Sequence, residues 1–302
     1  MKIAIAGGSG FLGQALSGRL IADGHRVLVL TRGASASTPW EGARSSLAWT
    51  PDGTAGDWAF ALEGADAVVN LAGESIANGR WTDARKARIL DSRLEATRSL
   101  VAAIHRLRQP PAVFVSSSAQ GYYGDRGDEE LTEGASAGRG FLADVCARWE
   151  AEARKAEDRA RVVTLRTGIV LTAEAGALPR MLLPFRLFGG GPLGSGRQFM
   201  SWIHVDDWVG IAALAITDDQ VRGPVNLGSP APVRNRDFAH VLGHVLHRPS
   251  LLPAQAFALR LAVGEMAGPL LLASTRMVPA LALADWYHFR YPDVGYALLN
   301  LL

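Results

Sequence analysis

Glycine residues near the start of the chain have the spacing of a phosphate-binding turn. Gly7, Gly10 and Gly13 follow one another at intervals of three, and Gly8 opens an overlapping, shorter-spaced pattern. A dinucleotide pyrophosphate must come close to backbone N–H groups at a helix N-terminus, where a misplaced Cβ would block it. Gly7 then allows the tight turn, Gly10 the close approach and Gly13 the contact between helix and strand. The predicted phosphate site consists of Gly7, Gly10, Phe11, Leu12 and Gly13.

The end of the second apolar run bears on which dinucleotide binds. NAD sites usually place Asp or Glu there, where the carboxylate holds the 2′-hydroxyl of the ribose. This chain has Thr31 and Arg32 instead. Neither is a carboxylate, and the planar guanidinium of Arg32 can pair with a 2′-phosphate. We therefore expect NADP(H) to be favoured over NAD(H), with Thr31 and Arg32 in the cofactor site.

The elements that position this turn are recognisable on both sides of it. Residues 2–6 form a short apolar run, and leucines recur every four residues from Leu12 to Leu20, which is one stripe of a helix. Gly24 is placed to end that helix in a left-handed conformation. Residues 27–30 form a second continuous apolar run, as expected of a strand buried on both faces. The order is therefore strand, turn, helix and strand.

Strands and helices continue to alternate through the first half of the chain. Buried strands are predicted at 65–71, 112–116 and 162–165, with helices at about 82–107 and 141–156 between them. This alternation predicts an α/β fold, with a parallel sheet covered by helices on both faces. Ligands of such sheets bind outside the carboxyl ends of the strands. The glycine turn and the ends of these strands should therefore meet at one crevice.

The pattern changes after about residue 171. A helix is predicted at 177–188, followed by a glycine-rich loop at 189–196 and, later, by a helix that Asp206 caps. The last part, 250–302, keeps Leu, Trp, Tyr and Phe to its end. It is therefore predicted to be a compact segment rather than a linker.

Composition and charge exclude several classes of partner. The chain has 302 residues, of which 48% are hydrophobic, enough for one large domain or two modest ones. Its 31 basic and 29 acidic residues are spread along the chain and leave a net charge of +2, so no nucleic-acid partner is predicted. The N-terminal apolar run is too short for a signal peptide, and the apolar stretch 254–273 is interrupted by charges. We expect a cytoplasmic protein with no membrane partner.

Cysteine and histidine give no metal site. Cys146 is the only cysteine, which excludes a disulfide framework and a cysteine-rich metal centre. His240, His244 and His247 fall on one helical face, but no carboxylate or cysteine is in register with them. No bound metal is predicted.

Several motifs resemble the extended short-chain dehydrogenase/reductase superfamily. They are GGSGFLG at 7–13, NLAG at 70–73, SSSAQGYYG at 116–124, LRTGIVL at 165–171 and WIHVDD at 202–207. More narrowly, DSR at 91–93, FLADVCARWEAEA at 141–153 and the C-terminal GEMAG, RMVP and FRYP motifs resemble one branch. It comprises the atypical NAD-dependent epimerase/dehydratase-like proteins that carry a small C-terminal domain of unknown function.

This resemblance covers essentially the whole chain and implies its architecture. It implies a Rossmann-type, doubly wound parallel sheet with a smaller C-terminal α/β domain over the active-site cleft. The implied NADP-binding domain is 1–173, with 200–230 returning to it. The implied cleft domain is 174–199 together with 231–302.

The same resemblance exposes a departure in the catalytic residues. Working members of the superfamily use a serine or threonine, a tyrosine that exchanges the proton, and a lysine four residues later that lowers the tyrosine pKa and binds the nicotinamide ribose. Ser118 matches the serine. The other pair falls on Phe141 and Val145 or, aligned by the glutamate that often follows, on Leu142 and Cys146. Neither alignment supplies a phenol or an amine.

Residues around this gap are assigned by the resemblance as well. Tyr122 and Tyr123 follow the serine strand and could bring a phenol near the nicotinamide, so Ser118 and Tyr123 are the candidate catalytic residues. The remaining candidates are cofactor contacts: Leu71 and Ala72 through backbone and methyl groups, Arg93 from the DSR motif, and Val170 at the nicotinamide end.

Two functions are predicted. The first is an NADP(H)-dependent oxidoreductase or epimerase that acts on a small polar or sugar-like molecule, as a monomer or homodimer. The alternative is a non-catalytic NADP(H)-binding sensor or regulatory protein. The cleft, Ser118 and the loop 189–196, which could close as a lid, favour the first function. The missing pair favours the second, although losing acid–base help, worth about 10²–10⁴-fold, slows a reaction without abolishing it.

Overall fold

The computed structural model describes residues 1–33 and 38–302. In chain order the strands are β1 (Lys2–Ala6), β2 (Arg26–Thr31), β3 (Arg44–Ala48), β4 (Ala67–Asn70), β5 (Val113–Ala119), β6 (Glu130–Leu131), β7 (Arg161–Thr167), β8 (Ile169–Leu171), β9 (Phe199–Met200), β10 (Trp202–His204), β11 (Gly223–Leu227), β12 (Val233–Arg234) and β13 (Arg276–Met277). The α-helices are α1 (Phe11–Ala22), α2 (Asp83–Arg106), α3 (Phe141–Ala153), α4 (Leu178–Arg186), α5 (Val205–Thr217), α6 (Asn235–Leu246), α7 (Ala256–Val263) and α8 (Val294–Leu301).

The continuous apolar runs form one parallel sheet. Within the described residues it has seven strands in the order β11-β7-β5-β4-β1-β2-β3. From β1 the chain builds one side through β2 and β3, and then returns to β4 on the other side of β1. The order of the strands therefore reverses between β1 and β4, where a ligand crevice is expected at the carboxyl ends of such sheets. The predicted doubly wound α/β fold is confirmed.

Helices cover both faces of this sheet. On one face the buried side chains of α1 and α5, such as Leu16, Leu20 and Ile211, pack against the strands. On the other face α2 does the same with Leu100 and Ile104. Strands that are apolar on both sides are thereby fully buried, which is why their sequence shows no alternation.

The C-terminal part has its own apolar cluster. It brings together α4, α6, α8 and Trp202 of β10, with Leu182, Phe238 and Leu298 among its buried members. Asp207 ties the C-terminal chain to α5, because its buried carboxylate accepts from the Tyr287 hydroxyl at 2.8 Å and from the backbone N–H groups of residues 290 and 291 at 2.8 and 2.9 Å. The domain boundaries given above stay a prediction.

Two helix ends show how local residues determine where a helix begins or ends. Gly24 has φ +84° after α1, as predicted. The predicted cap of α5 was wrong: the N-cap is His204, whose Nδ1 accepts from the Asp206 N–H at 3.1 Å, while Asp206 lies in the first turn. An imidazole acceptor therefore does what the carboxylate was expected to do. None of the helices in the described ranges is long and apolar enough to cross a membrane.

Candidate active site and cofactor crevice

The glycine turn lies at the carboxyl end of β1, against the end of β4. Gly7 has φ +78°, and an added Cβ would lie 2.7 Å from the Leu71 carbonyl carbon and 2.8 Å from the Ala72 nitrogen. A Cβ on Gly13 would lie 2.4 Å from the Gly7 carbonyl oxygen. These two glycines are therefore required by the packing of the protein itself.

Gly10 differs from its neighbours. A Cβ built on it would meet a single protein atom within 4 Å, the Gly7 carbonyl oxygen at 3.4 Å, and its φ of −73° suits any residue. The chain alone gives no reason for glycine at this position. Gly10 is also the N-cap of α1, where the backbone N–H groups of the first turn lack helical partners. The space in front of it fits a pyrophosphate held by those N–H groups.

Phe11 and Leu12 follow in the first turn of α1 with different surroundings. Phe11 is exposed, whereas Leu12 packs against the apolar cluster under the sheet. A ligand at this turn could therefore meet the ring of Phe11, but only the backbone of Leu12.

The end of β2 lies next to this turn. Leu30 pairs with Ala6, so Thr31 and Arg32 come directly beside the glycine residues. Thr31 is partly buried and Arg32 is exposed. No carboxylate occupies either position, and the guanidinium of Arg32 is the cationic group at this edge.

The end of β4 is held in place from below. Leu71 donates its N–H to the Ala6 carbonyl at 2.8 Å, and Ala72 donates its own to Asn70 Oδ1 at 3.1 Å. The buried Asn70 amide in turn donates to Thr97 Oγ1 at 2.9 Å. Leu71 and Ala72, both partly buried, are thereby fixed against the glycine turn.

Arg93 reaches the same place from α2. Its Nη1 donates to the carbonyl oxygens of Glu74 at 3.0 Å and Ile89 at 2.9 Å. The guanidinium lies 5.1 Å from the centre of the Trp149 ring, and its carbon would be 3.2 Å from a Cβ on Gly73. The structure therefore brings a cation to the carboxyl end of β4.

Ser118 is held in a buried polar network. Its hydroxyl donates to Glu150 Oε1 at 2.6 Å, and Arg166 donates to both oxygens of Glu150, at 2.9 and 2.8 Å. All three residues are at most 4% exposed. Burial opposes the charge on Arg166, but its hydrogen bonds to Glu150 and the carboxylate charge raise the pKa of Arg166. Arg166 is thus charged, and the Ser118 proton points at the Glu150 oxygen that Arg166 Nε also contacts.

The placement of Tyr123 differs from the sequence-based expectation. Its ring is 0% exposed, its hydroxyl donates to Asn226 Oδ1 at 2.6 Å, and that hydroxyl accepts from Arg166 Nη1 at 3.0 Å. Burial raises the pKa of Tyr123 to about 12. The phenol therefore belongs to the buried network rather than to the surface of the cleft. Tyr122 is only partly buried, and its ring stacks on the Arg166 guanidinium at 3.5 Å.

The helix that should carry the missing pair is α3, and its faces separate the two alignments. Phe141 packs edge-on against Trp81 at 5.1 Å, away from β5. A Cβ on Gly121, just after β5, would lie 3.0 Å from Leu142 Cβ and 3.7 Å from Cys146 Sγ. Leu142, Cys146 and Glu150, spaced by four, therefore form the face of α3 directed at Ser118. Of the two alignments, this geometry favours Leu142 and Cys146 as the positions that correspond to the tyrosine and lysine.

Val170 comes shortly after the end of β7, the strand whose Arg166 pairs with Ser118. It is 7% exposed, belongs to β8, which pairs with β10, and packs into the apolar cluster under the sheet. Its predicted contact with the nicotinamide end stays a prediction, and its burial restricts any such contact to a small part of its surface.

A cavity of about 610 Å³ is lined by Phe11. Gln14, Glu174, His204 and Arg290 are among the residues that line it. Ser118 and Arg93 do not line it. The cavity shares Phe11 with the glycine turn but does not include the residues at the carboxyl ends of β4 and β5.

The roles of Glu150, Arg166 and Asn226 were not predicted from the sequence. Arg166 stands inside a run of apolar strand residues, and Glu150 lies on the buried face of α3. A charge in such a place needs a partner of opposite sign, which was the available signal. Asn226, in β11, gave no comparable signal, because an amide carries no charge and can hydrogen-bond to many kinds of group, so its partner cannot be predicted from the sequence.

A Rossmann-type sheet with a glycine turn at its switch point is the architecture of dinucleotide-binding proteins. The family model "NAD dependent epimerase/dehydratase family" matches residues 3–228, and the "Domain of unknown function (DUF1731)" matches residues 256–301. The chain belongs to the NAD-dependent epimerase/dehydratase family, in the branch that carries this C-terminal domain.

Similar proteins extend over almost the whole chain. Epimerase family protein Mb2239 of Mycobacterium bovis is 41% identical over 98% of this chain and 96% of its own length. Epimerase family protein YfhF of Bacillus subtilis is 37% identical over 100% and 98%. The crystal structure of human epimerase family protein SDR39U1, solved with NADPH, superimposes with a TM-score of 0.90 at 35% identity and covers 100% of this chain and 99% of that one.

Proposed function

We propose that this chain binds NADP(H) in the crevice between β1 and β4, with NADPH preferred to NADH, and acts as an oxidoreductase or epimerase on a small polar or sugar-like substrate. The observation that carries the cofactor assignment is Gly10. Its glycine has no packing reason, it caps α1, and the space in front of it fits a pyrophosphate. The human relative solved with NADPH supports the same assignment.

The preference for the phosphorylated cofactor rests on the end of β2. A carboxylate there would repel a 2′-phosphate, and this chain has Thr31 and Arg32 instead. Arg32 is exposed beside the glycine turn, so its planar fork can pair with a phosphate without first leaving a buried partner. Thr31 can add a hydroxyl hydrogen bond.

Bound NADP(H) supplies the hydride chemistry, and the residues of this chain orient the substrate beside it. Ser118 lies at the carboxyl end of β5, next to β4, and donates its proton to Glu150. Its oxygen keeps lone pairs that can accept a hydrogen bond from a substrate hydroxyl. We therefore propose that Ser118 holds an alcohol or sugar hydroxyl, and that Tyr123 acts only by positioning Arg166 and Asn226.

A second candidate function has a specific observation in its favour. The face of α3 directed at Ser118 presents Leu142 and Cys146, so it lacks both the phenol and the amine that move and tune the proton in working members. A protein that binds NADP(H) and reports its redox state needs no such pair. This is the non-catalytic sensor hypothesis.

Titration and turnover together separate these functions. NADPH and NADH binding to the purified chain should be measured by calorimetry, followed by two assays of turnover. NADPH oxidation against a panel of aldehydes and ketones detects a reductase, and the epimer composition of nucleotide sugars incubated with the chain and NADP⁺ detects an epimerase, which causes no net oxidation of the cofactor. Turnover in either assay supports the enzyme, and binding without turnover in both supports the sensor. A chain that binds neither cofactor overturns the proposal.

A further inference from the structure

The C-terminal part of the molecule presents a group of large apolar side chains to solvent. Two of them directly follow α4, two lie in the loop before α7, and two lie on α7 itself. Each is between 59% and 80% exposed. We call this group the apolar face, and its members are Leu187, Phe188, Leu251, Leu252, Phe257 and Leu261. Single exposed apolar residues are ordinary on a protein surface, whereas a contiguous group marks an interaction site.

The three parts of the apolar face lie against one another. The Leu252 N–H donates to the Gly190 carbonyl at 3.3 Å, which joins the loop before α7 to the loop after α4. The guanidinium of Arg248 lies 4.6 Å from the centre of the Phe188 ring. Since α7 begins two residues after Ala254, its first turn continues directly from this pair of loops. The exposed side chains therefore belong to one surface.

The helix α7 is fixed in place but has no apolar partner for its side chains. All of its residues except one arginine are apolar, and none is buried. At its C-terminal end, Arg80 Nη2 donates to the carbonyl oxygens of Leu261 at 2.7 Å and Ala262 at 3.1 Å. Just beyond it, Glu265 pairs with Lys86 at 3.0 Å. A helix this short has little stability of its own in water, so covering its apolar side chains would stabilise it.

The charge around the apolar face has one sign. The segments that supply it, 178–193 and 247–263, contain arginines but no Asp or Glu. Arg186, Arg248 and Arg260 are exposed. Among the residues whose side chains the structure describes, none forms an ion pair with these three. Apolar side chains bordered by unpaired cations complement a surface that offers both hydrocarbon and negative charge.

A second copy of this chain does not provide that complement. In a twofold contact the same surface meets itself, so the arginines of both copies would come together with no carboxylate from either segment. The apolar side chains also project into solvent rather than line a groove, so they offer a protein partner no matching shape. A bilayer of anionic lipids supplies negative headgroups for the arginines and acyl chains for the leucine and phenylalanine side chains, and it requires no such shape.

We propose that the apolar face is a membrane-contact surface that holds the protein on a bilayer of anionic lipids. The helix α7 then lies along the interface, because it is only about 12 Å long, against a hydrocarbon core of about 30 Å. The expectation of no membrane partner was based partly on the charges within 254–273. Those charges exclude a segment that spans the bilayer, but they do not exclude a contact with its surface. This inference does not depend on the proposed cofactor or substrate.

Co-sedimentation of the full chain with lipid vesicles tests the proposal. One set of vesicles is phosphatidylcholine alone, and the other is an equimolar mixture of phosphatidylcholine and phosphatidylglycerol. We expect binding to the mixed vesicles, much weaker binding to phosphatidylcholine, and a loss of binding as salt screens the charges. Phe257→Ser combined with Leu261→Ser should weaken binding at least about thirtyfold, because two side chains lose their transfer from water to hydrocarbon.

Matched controls separate the apolar face from the rest of the surface. Phe60→Ser removes a ring that is 60% exposed between β3 and β4, outside the face, and should bind as the unmodified chain does. Arg248→Gln combined with Arg260→Gln should weaken binding to the mixed vesicles roughly twentyfold and leave binding to phosphatidylcholine unchanged. Arg108→Gln, at an exposed arginine after α2, is the control for this loss of charge. Melting temperatures should stay unchanged throughout, since none of the altered side chains is buried.

The opposite results are equally clear. Absence of binding to both kinds of vesicle overturns the inference, and so does binding that survives Phe257→Ser with Leu261→Ser. Analytical ultracentrifugation then identifies what covers the face. A dimer that this double change dissociates, without vesicle binding, assigns the face to a second copy. A monomer that binds no vesicle also contradicts the proposal and leaves an acidic segment of another protein as the occupant.

Discussion

Ser118 donates a hydrogen bond of 2.6 Å to Glu150, across a buried junction between β5 and α3. In a complete catalytic set, this serine and a tyrosine would both contact the substrate. That tyrosine would lie on α3, the helix of Glu150, about two turns before the glutamate. Here that position is Leu142, and the serine proton is already committed to the carboxylate. The contact therefore separates two roles, because Ser118 can accept a hydrogen bond from a substrate while having no phenol with which to share a proton.

Ser118→Ala and Tyr123→Phe should have different effects. Removing the Tyr123 hydroxyl leaves Asn226 and a donor of Arg166 without their buried partner, which should cost about 1–3 kcal/mol of unfolding free energy. Any turnover should stay within about threefold, since this phenol does not reach the cleft. Ser118→Ala should instead lower kcat/KM by about tenfold or more, since it removes a hydrogen bond to the substrate.

Thermal unfolding and steady-state rates at matched temperature measure these two effects. A large rate loss in Tyr123→Phe with unchanged stability would mean that this phenol takes part in proton transfer after all. An unchanged rate in Ser118→Ala would remove the serine from the site.

Gly10→Val and Gly13→Ala should impair different properties, the first NADPH binding and the second stability. A side chain at Gly10 meets little of the protein but fills the pyrophosphate space, so Gly10→Val should fold normally and lose NADPH binding. A Cβ at Gly13 meets the Gly7 carbonyl at 2.4 Å, so Gly13→Ala should cost about 1–3 kcal/mol, as overpacking usually does. Circular dichroism melts and calorimetric titration measure both.

Gly18→Ala is the control for these two changes, because it lies in the same helix with nothing within 4 Å of its Cβ position. It should bind NADPH normally and gain up to about 1 kcal/mol from helix propensity. Normal NADPH binding by Gly10→Val would place the crevice elsewhere.

His204 should make the fold sensitive to mild acid. Burial lowers the pKa of His204, which is 1% exposed, and its Nδ1 is occupied as an acceptor of the Asp206 N–H. The unfolded chain takes up the proton first, near the usual pKa of about 6.5. Stability is therefore complete above that pH and falls below it, by at most about 1.4 kcal/mol per pH unit for this one group.

Urea unfolding between pH 7.5 and 5 compares the unmodified chain with His204→Gln, which keeps an acceptor but does not titrate. The variant should show a smaller loss of unfolding free energy over this range. Equal slopes for the two proteins would mean that His204 does not control the acid response.

Most of the fold could be predicted because its signals are local. The glycine spacing, the leucine stripe of α1 and the apolar strand runs each lie within a short stretch, and each corresponds to an element of the structure. The cap of α5 was misassigned because an imidazole can accept a hydrogen bond as a carboxylate does. Whether Tyr122 or Tyr123 turns inward depends on a single step of the 3-10 turn at Gln120–Tyr123, which no local pattern sets.

The partnerships within the site were not predictable in the same way. Ser118, Glu150 and Arg166 come from three elements, and only the register of β5 against β7, where Ser118 pairs with Arg166, brings them together. The spacing of residues in the sequence predicts which side chains share a face of one helix or strand. It does not predict contacts between side chains of different elements.

Calorimetric titration of NADPH and NADH into the unmodified chain and into Arg32→Ala measures how the end of β2 selects the cofactor. We expect NADPH to bind roughly tenfold to a hundredfold more tightly than NADH, because Arg32 makes charge-assisted hydrogen bonds to the 2′-phosphate. Arg32→Ala should lose most of this difference by weakening NADPH alone. Equal affinities in the unmodified chain, or a preference that survives Arg32→Ala in full, would contradict the account of how this crevice selects its cofactor.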